Sequence, residues 1–282
     1  VVAIEFSVMR CHPLRRALGE QGGFSSMLCG IRMSDSLKVF ASCSEKAHGP
    51  FVCPGCKQEL ILKKGSIKVH HFAHKPPFSC NRGQGESDAH RRCKESIYHS
   101  LAQCSNVTNL DVEADFGEVV ADIYCLINNQ PVAIEVQRSN LSVNEITVRT
   151  AAYAKLGIYV LWLALSNEKL NDEKYSPKAW EKWCHAAYFG RVYYWISELI
   201  ILPVHFSEYS LYVESSSWYD EYGEEQSAGG YTKSSKRYKT PCKGPYLNLV
   251  DDFGPSNKPA WSGGTIHLPQ CKIYSDRHRK WW

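Results

Sequence analysis

Two acidic residues, Asp122 and Glu135, lie in neighbouring segments in which apolar and other side chains alternate. In segment 119–127 every second residue is apolar and Asp122 falls between two of them, and Glu135 holds the same place in segment 132–137. Successive side chains of a strand point to opposite faces. The pattern therefore predicts two strands whose carboxylates share the face opposite the core.

A turn at Asn128 and Asn129 sets how these strands pair. Asparagine tolerates the positive φ that two-residue hairpin turns require. Such a turn pairs Ile127 with Gln130 and, counting back, Asp122 with Glu135, whose Cβ atoms would lie about 5 Å apart. A longer turn around Gln130 would shift the acids to a diagonal. Carboxylates this close repel unless a divalent cation binds between them, although a solvated strand face also carries acids.

A third set of polar residues, Glu86, His90 and Lys94, recurs every fourth position and shares one side of a predicted helix over residues 86–104. An apolar stripe beside it predicts the face that packs on the sheet. That stripe consists of Ala89, Cys93, Ile97 and Leu101. The polar stripe is thus expected to overhang the hairpin acids.

A second helix is predicted after the hairpin. Ser142 and Glu145 form a capping box, and Gly157 marks the end of the helix. Arg149 and Tyr153 lie one turn apart on it, where a phosphate contact and an ordinary helix–sheet contact are equally consistent with the pattern. With a strand over 158–165, the order is helix, three strands, helix, strand.

A cysteine pair and a histidine pair upstream predict a closed, structural zinc site, since tetrahedral zinc takes four N or S ligands. The ligands chosen are Cys53, Cys56, His71 and His74. His70 and Cys80 stay open as substitutes, and a redox role for the cysteine pair is the alternative. The spacer 59–69 predicts two strands around Lys64-Gly65-Ser66, as in a zinc ribbon.

Composition fits a globular protein. The chain has 282 residues, 44% of them hydrophobic, a net charge of +4 and twelve cysteines. No run approaches the roughly 20 apolar residues of a membrane span, and the first residues lack a cationic segment followed by a long apolar one. We therefore expect no signal peptide, no membrane partner and a reducing cytoplasmic location, with cysteines serving as metal ligands or core residues.

At these positions the chain resembles the competence protein CoiA-like family, over roughly residues 35–205. The similar motifs are Cys53-x-x-Cys56, His71-Phe-Ala-His74, Glu86-Ser-x-x-His90-x-x-x-Lys94, Ala121-Asp122, Ile134-Glu135-Val-Gln137-x-Ser139 and Arg149-x-x-x-Tyr153. The resemblance implies an α/β (α+β) fold with a PD-(D/E)XK restriction-endonuclease-like core, a mixed sheet flanked by helices, and a small zinc-ribbon-like N-terminal module.

The resemblance also implies site residues. Those implied as catalytic are Glu86, His90, Asp122, Glu135 and Gln137, with Lys94, Arg149 and Tyr153 in support. Asp122 and Glu135 would hold a catalytic Mg²⁺ or Mn²⁺ in addition to the structural Zn²⁺. Gln137 stands where the superfamily usually has lysine, and its side chain is neutral. Lys94 or Arg149 is therefore expected to supply the positive charge that lysine would provide.

The resulting hypothesis is a metal-dependent DNA endonuclease acting in DNA uptake, recombination or defence. The alternative is a catalytically weak or inactive zinc-containing nucleic-acid-binding protein. The expected units are an N-terminal module at 1–80, a nuclease core at 81–205 and an aromatic-rich extension at 206–282. The form of DNA and a homo-oligomer or protein partner are left open.

Overall fold

The computed structural model describes residues 26–77, 80, 86–137, 141–264 and 266–282. Residues 1–25 and Ser139 of the glutamate–glutamine–serine motif lie outside the described residues. Within them the protein is a mixed α+β structure with three α-helices, a large sheet, a smaller sheet and two short two-stranded ribbons. None of the helices in these ranges is long and apolar enough to cross a membrane.

The smaller sheet is N-terminal and antiparallel, with strand order β1-β6-β5-β4-β2-β3. Its strands are β1 (Ser26–Met27), β2 (Cys29–Arg32), β3 (Lys38–Phe40), β4 (Phe51–Val52), β5 (Glu59–Lys63) and β6 (His71–His74). A single turn of 3-10 helix covers Lys46–His48. The predicted spacer strand after residue 66 is wrong. The partner of β5 is β6, a register that buries Phe72 completely and leaves Ile67 85% exposed.

The next elements follow the predicted order of helix, three strands, helix and strand, which is confirmed. They are α1 (Asp88–Leu101), β7 (Val107–Asp115), β8 (Val120–Ile127), β9 (Gln130–Gln137), α2 (Val143–Lys155) and β10 (Tyr159–Leu165). Strands β7, β8 and β9 are antiparallel, whereas β10 runs parallel to β9. The large sheet is therefore mixed, as expected.

Most strands in the rest of the chain extend this sheet. Its elements are a 3-10 turn (Glu168–Asn171), α3 (Ala179–Ala187), β11 (Val192–Ser197), β12 (Ile200–Val213), β13 (Ser216–Tyr219), β14 (Glu225–Ala228), β15 (Tyr231–Lys243), β16 (Leu247–Asn248), β17 (Phe253–Lys258), β18 (Trp261–Gly263), β19 (Ile266–Leu268) and β20 (Cys271–Asp276). The main strand order is β15-β12-β11-β10-β9-β8-β7, with β16 beside β12 and β20 beside β10 and β17, whereas β13 with β14 and β18 with β19 form the two separate ribbons. The expected boundary at 205/206 falls inside β12.

The hairpin of β8 and β9 has the predicted turn. Asn128 and Asn129 have φ of 48° and 61°, and Cα partners run from Ile127 with Gln130 back to Ile123 with Ile134. The alternating apolar residues of both strands are buried. Strand β9 lies between β8 and β10 and is buried on both faces, and α2 contributes Tyr153 to the face that carries Glu135.

The capping box predicted for α2 is confirmed, whereas α1 begins at Asp88, which leaves Glu86 outside the helix predicted to contain it. Ser87 caps α1 by accepting the amide of His90, and Ser142 and Glu145 form the capping box of α2. The predicted apolar stripe of α1 is correct for Cys93, Ile97 and Leu101 but wrong for Ala89, which is exposed. Burial instead extends to Arg91 and Lys94, because both have polar partners within reach.

The N-terminal sheet packs directly against α1 and β7. The rings of Phe40 and Tyr98 are tilted against each other with centroids 4.5 Å apart, and Lys38 Nζ lies 2.8 Å from Asp111. Leu28, Cys29 and Phe40 belong to the same apolar core as the large sheet. The N-terminal sheet and the large sheet are therefore joined by shared core residues as well as by polar contacts.

We predict that the Asn129→Ala variant will unfold more easily. Alanine at a left-handed φ loses about 1 kcal/mol relative to a residue suited to it, whereas Asn129→Gly should stay within about 0.5 kcal/mol of the wild type. Urea unfolding of the three proteins measures both effects. Equal stability of the alanine and glycine variants would contradict the role assigned to this turn.

Candidate active site and metal centre

Pairing of the strands lines up four side chains across the large sheet. Glu113 lies opposite Asp122, since the residues on either side of it, Val112 and Ala114, pair with Ile123 and Ala121. Asp122 is followed in the hairpin by the pair Ile123 and Ile134, and Trp162 on β10 pairs with Glu135. Residues in register share a face. The row therefore runs Glu113, Asp122, Glu135, Trp162.

Lys94 of α1 reaches into this row and is fully buried. Its Nζ lies 2.5 Å from Glu86 Oε1, 3.4 Å from Glu113 Oε1 and 3.5 Å from Asp122 Oδ1. Burial works against the charged form of Lys94, but the three carboxylates outweigh it and hold its pKa above the ordinary value. The ammonium group is thus charged and shared by three acids.

Asp122 has two further donors. His90 Nε2 lies 3.1 Å from Oδ2, and the Val136 amide donates to the same oxygen at 2.9 Å. Burial works to raise the pKa of Asp122, but Lys94, His90 and this amide hold it below its ordinary range. The pKa of His90 is in turn raised, because the attraction of Asp122 exceeds the effect of its burial. Asp122 is therefore an anion in the folded protein.

Glu135 lies beside Asp122 but has different partners. It is 1% exposed and accepts hydrogen bonds from Arg149 Nη2 at 2.5 Å and from the Tyr153 hydroxyl. The guanidinium of Arg149 also lies 5.3 Å from the centre of the Trp162 ring. Burial raises the pKa of Glu135 to about 7, against the attraction of Arg149. The structure thus unites Glu135, Arg149 and Tyr153 through direct contacts.

The residues that could share a divalent cation are Glu86, His90 and Asp122, each of which offers one donor atom within 4.8 Å of the others. Glu86 Oε2 is buried with no hydrogen-bond partner among the described residues. The two carboxylates suit Mg²⁺ or Mn²⁺ as ligands, and the imidazole of His90 lies beside them. Glu135 is outside this group, and Gln137 ends β9, partly buried, on the face of Glu135.

A second group of donors lies in the N-terminal sheet. Its members, Cys53, Cys56, His74 and Cys80, have donor atoms within 4.8 Å of one another. Cys56 Sγ lies 3.1 Å from His74 Nε2, and Cys53 Sγ lies 3.8 Å from Cys80 Sγ. Three thiols and an imidazole could hold a metal such as zinc in a closed, four-ligand site.

The structure does not bring the predicted ligand His71 into this group, and Cys80 lies there instead. His71 and His74 are three residues apart on β6, so their side chains point to opposite faces of the strand. His71 Nδ1 lies 2.8 Å from the Val69 carbonyl. Cys80, one of the two substitutes left open, completes the group, and His70 is not among its members.

Glu113 is the residue at this site that the sequence motifs miss. It lies between buried Val112 and Ala114, so its own alternation resembles that of Asp122. The pairing of β7 with β8 shifts between Thr108 and Asp111. Such an irregularity changes which residues oppose each other, and the alternation of side chains along β7 does not predict it.

Comparison with known proteins identifies two domains. The N-terminal domain of competence protein CoiA matches residues 38–82, and the CoiA nuclease-like domain matches residues 86–194. Competence protein CoiA of Bacillus subtilis (strain 168) is 29% identical over 114 residues, which is 40% of this chain and 31% of that protein. The alignment thus spans about a third of the relative's length. No solved structure matches.

The corrected ligand set predicts different zinc contents for two histidine variants. Purified wild type should hold about one zinc ion per chain, His74→Ala and Cys80→Ser should lose most of it, and His71→Ala should keep it. Elemental analysis after dialysis against a weak chelator measures this. Loss of zinc from His71→Ala with retention in Cys80→Ser would restore the original assignment.

Lys94→Met should destabilise the protein strongly. Removing one partner of a buried ion pair leaves uncompensated charge, which costs about 3–5 kcal/mol. The control is Lys155→Met, whose side chain is 74% exposed and lies 3.8 Å from Glu118. That variant should change stability by less than about 0.5 kcal/mol. Urea unfolding without divalent cations compares them, and similar losses in both would contradict the role of Lys94.

Proposed function

The chain belongs to the competence protein CoiA-like family, and from this premise we propose that it is a divalent-metal-dependent DNA endonuclease of the PD-(D/E)XK type. The observation that carries the proposal is the buried group around Lys94. Three carboxylates surround one ammonium, and Glu86 Oε2 has no hydrogen-bond partner among the described residues. The site is net negative and retains a free acidic oxygen, which favours a bound cation.

The order of elements supports the nuclease type. Glu86 precedes α1, Asp122 lies on the middle strand of β7, β8 and β9, and Glu135 and Gln137 lie two residues apart on β9. The family resemblance implies these acidic residues in this order, with Glu86 on the helix itself rather than two residues before it. The match of the CoiA nuclease-like domain to residues 86–194 covers all of them.

Mg²⁺ or Mn²⁺ would be held by Glu86 and Asp122, with His90 beside them. When bound, such an ion polarises a scissile phosphate and lowers the pKa of an attacking water. His90 orients the Asp122 carboxylate through its 3.1 Å hydrogen bond. The Val136 amide also donates a hydrogen bond to Asp122. A backbone group of β9 and a side chain of α1 therefore fix the orientation of the Asp122 carboxylate.

Lys94 replaces the lysine that the superfamily usually carries at the position of Gln137. A cation near the reacting phosphate stabilises the negative charge that develops there, and a neutral glutamine cannot do so. Lys94 Nζ is 3.5 Å from Asp122 Oδ1, close to the metal ligand. Gln137 is left to orient water or DNA.

Arg149 has a separate task in binding DNA. Its side chain is 32% exposed, while Glu135 and Trp162 fix the orientation of its guanidinium. A guanidinium held in this way can donate to a phosphate group with little loss of conformational entropy. Tyr153 supports it by donating to Glu135. The form of DNA, whether single-stranded, branched or duplex, is for experiment to decide, and the relative's name, competence protein CoiA, favours a role in competence.

The second candidate is a zinc-containing nucleic-acid-binding protein that does not cut. Two observations favour it. Glu135 is already paired with Arg149 and Tyr153, and Gln137 lacks the usual charge. In this alternative the same residues bind phosphate without activating water.

If the protein is a nuclease, Asp122→Asn and Glu135→Gln should each lower DNA cleavage by at least about 100-fold. Asp122→Asn removes a metal ligand, and Glu135→Gln removes the charge that fixes the orientation of Arg149. The control Glu118→Gln, in the exposed turn before β8, should cleave like wild type. Plasmid, single-stranded and forked DNA are incubated with Mg²⁺ or Mn²⁺ and resolved on gels.

Cleavage that persists in Asp122→Asn would refute the assigned site. A wild-type protein that cuts none of these substrates, yet binds them tightly with a steep dependence on salt, would instead establish the binding protein.

A further inference from the structure

Glu113 has an unusual backbone. It lies within β7 with φ of 53° and is 9% exposed. A residue other than glycine seldom adopts a left-handed conformation within a strand, and such strain persists where the surroundings over-determine the position. The contacts of its side chain identify those surroundings.

One carboxylate oxygen of Glu113 has two donors. Oε1 accepts a hydrogen bond from the Leu28 amide at 3.0 Å and lies 3.4 Å from Lys94 Nζ. Leu28 belongs to the N-terminal sheet region, and its neighbour Met27 has Sδ 3.8 Å from Cys53 Sγ. Contacts therefore run without interruption from the cysteine–histidine group through Met27 and Leu28 to Glu113 and Lys94.

Glu113 also changes how Lys94 is shared. With Glu113 present, three carboxylates divide one ammonium, and the cluster stays net negative. Without its charge, Lys94 would attract Asp122 and Glu86 more strongly, and these two are the acids proposed to bind the cation. The lost negative charge and the stronger pairing of Lys94 with Asp122 and Glu86 would both weaken the attraction of the site for a divalent cation.

We propose that Glu113 is a positioning residue of the acid site, which draws Lys94 partly away from Asp122 and anchors the site to the N-terminal sheet. The proposal rests on the metal-dependent nuclease function and adds a residue to it. Glu113 acts through Lys94, and its effect should therefore show in cation affinity before it shows in stability.

The test compares Mn²⁺ binding to the 282-residue protein and its variants by isothermal titration calorimetry, with no DNA present. Glu113→Gln keeps a side-chain oxygen that can accept the Leu28 amide but removes the charge. It should bind Mn²⁺ about tenfold more weakly than wild type. In the absence of Mn²⁺ its unfolding temperature should fall far less than that of Lys94→Met, because Lys94 keeps the carboxylates of Glu86 and Asp122. Glu113→Asp retains the charge and should recover most of the affinity.

Asp111→Asn is the matched control. Asp111 also lies on β7 and binds a lysine of the N-terminal sheet, Lys38, at 2.8 Å, but it is more exposed than Glu113. This variant should bind Mn²⁺ within about twofold of wild type, since exposed charges are screened.

Three outcomes would overturn the proposal in distinguishable ways. Wild-type affinity in Glu113→Gln, together with weakened binding in Asp122→Asn, would refute the role of Glu113 and leave the nuclease site intact. Equal weakening in Glu113→Gln and Glu113→Asp, with lowered unfolding temperatures, would assign Glu113 to folding alone. Absence of Mn²⁺ binding by wild type would overturn the proposed function and this inference together.

Discussion

Lys94 carries an ammonium group into a part of the protein where its side chain is fully buried. A buried charge is tolerated only with compensating charges and hydrogen bonds, so the carboxylates of Glu86, Glu113 and Asp122 must converge on it. That convergence joins the start of α1 to strands β7 and β8. The same charges that stabilise Lys94 form the acidic site.

Asp122 and Glu135 show how two neighbouring acids can differ in character. Lys94 and His90 hold the pKa of Asp122 low, whereas burial raises the pKa of Glu135 to about 7. The separation arises because α1 supplies cations to one acid and α2 supplies Arg149 and a hydroxyl to the other. The repulsion between the two carboxylates is thus reduced by separate partners, Lys94 and His90 for Asp122 and Arg149 and Tyr153 for Glu135.

The cysteine–histidine group illustrates the limits of spacing. Two close pairs were enough to indicate a metal site, but a strand directs residues three apart to opposite faces, which removes His71 from the group. Cys80 replaces it across a stretch of chain that carries no regular motif. Which fourth donor completes the group depends on how that stretch folds back, and spacing alone does not contain this information.

The sequence by itself determined the local features. The hairpin register follows from two asparagines and a period of two, and the start of α2 follows from its capping box. The shared face of His90 and Lys94 follows from helical spacing, whereas Glu86, predicted on the same face, precedes the helix. Only the tertiary structure decided that Glu113 opposes Asp122, that Arg149 and Tyr153 bind Glu135, and that the N-terminal sheet donates an amide to Glu113. These contacts join segments distant in the chain, and their geometry depends on a register shift and on packing between elements, which no local pattern encodes.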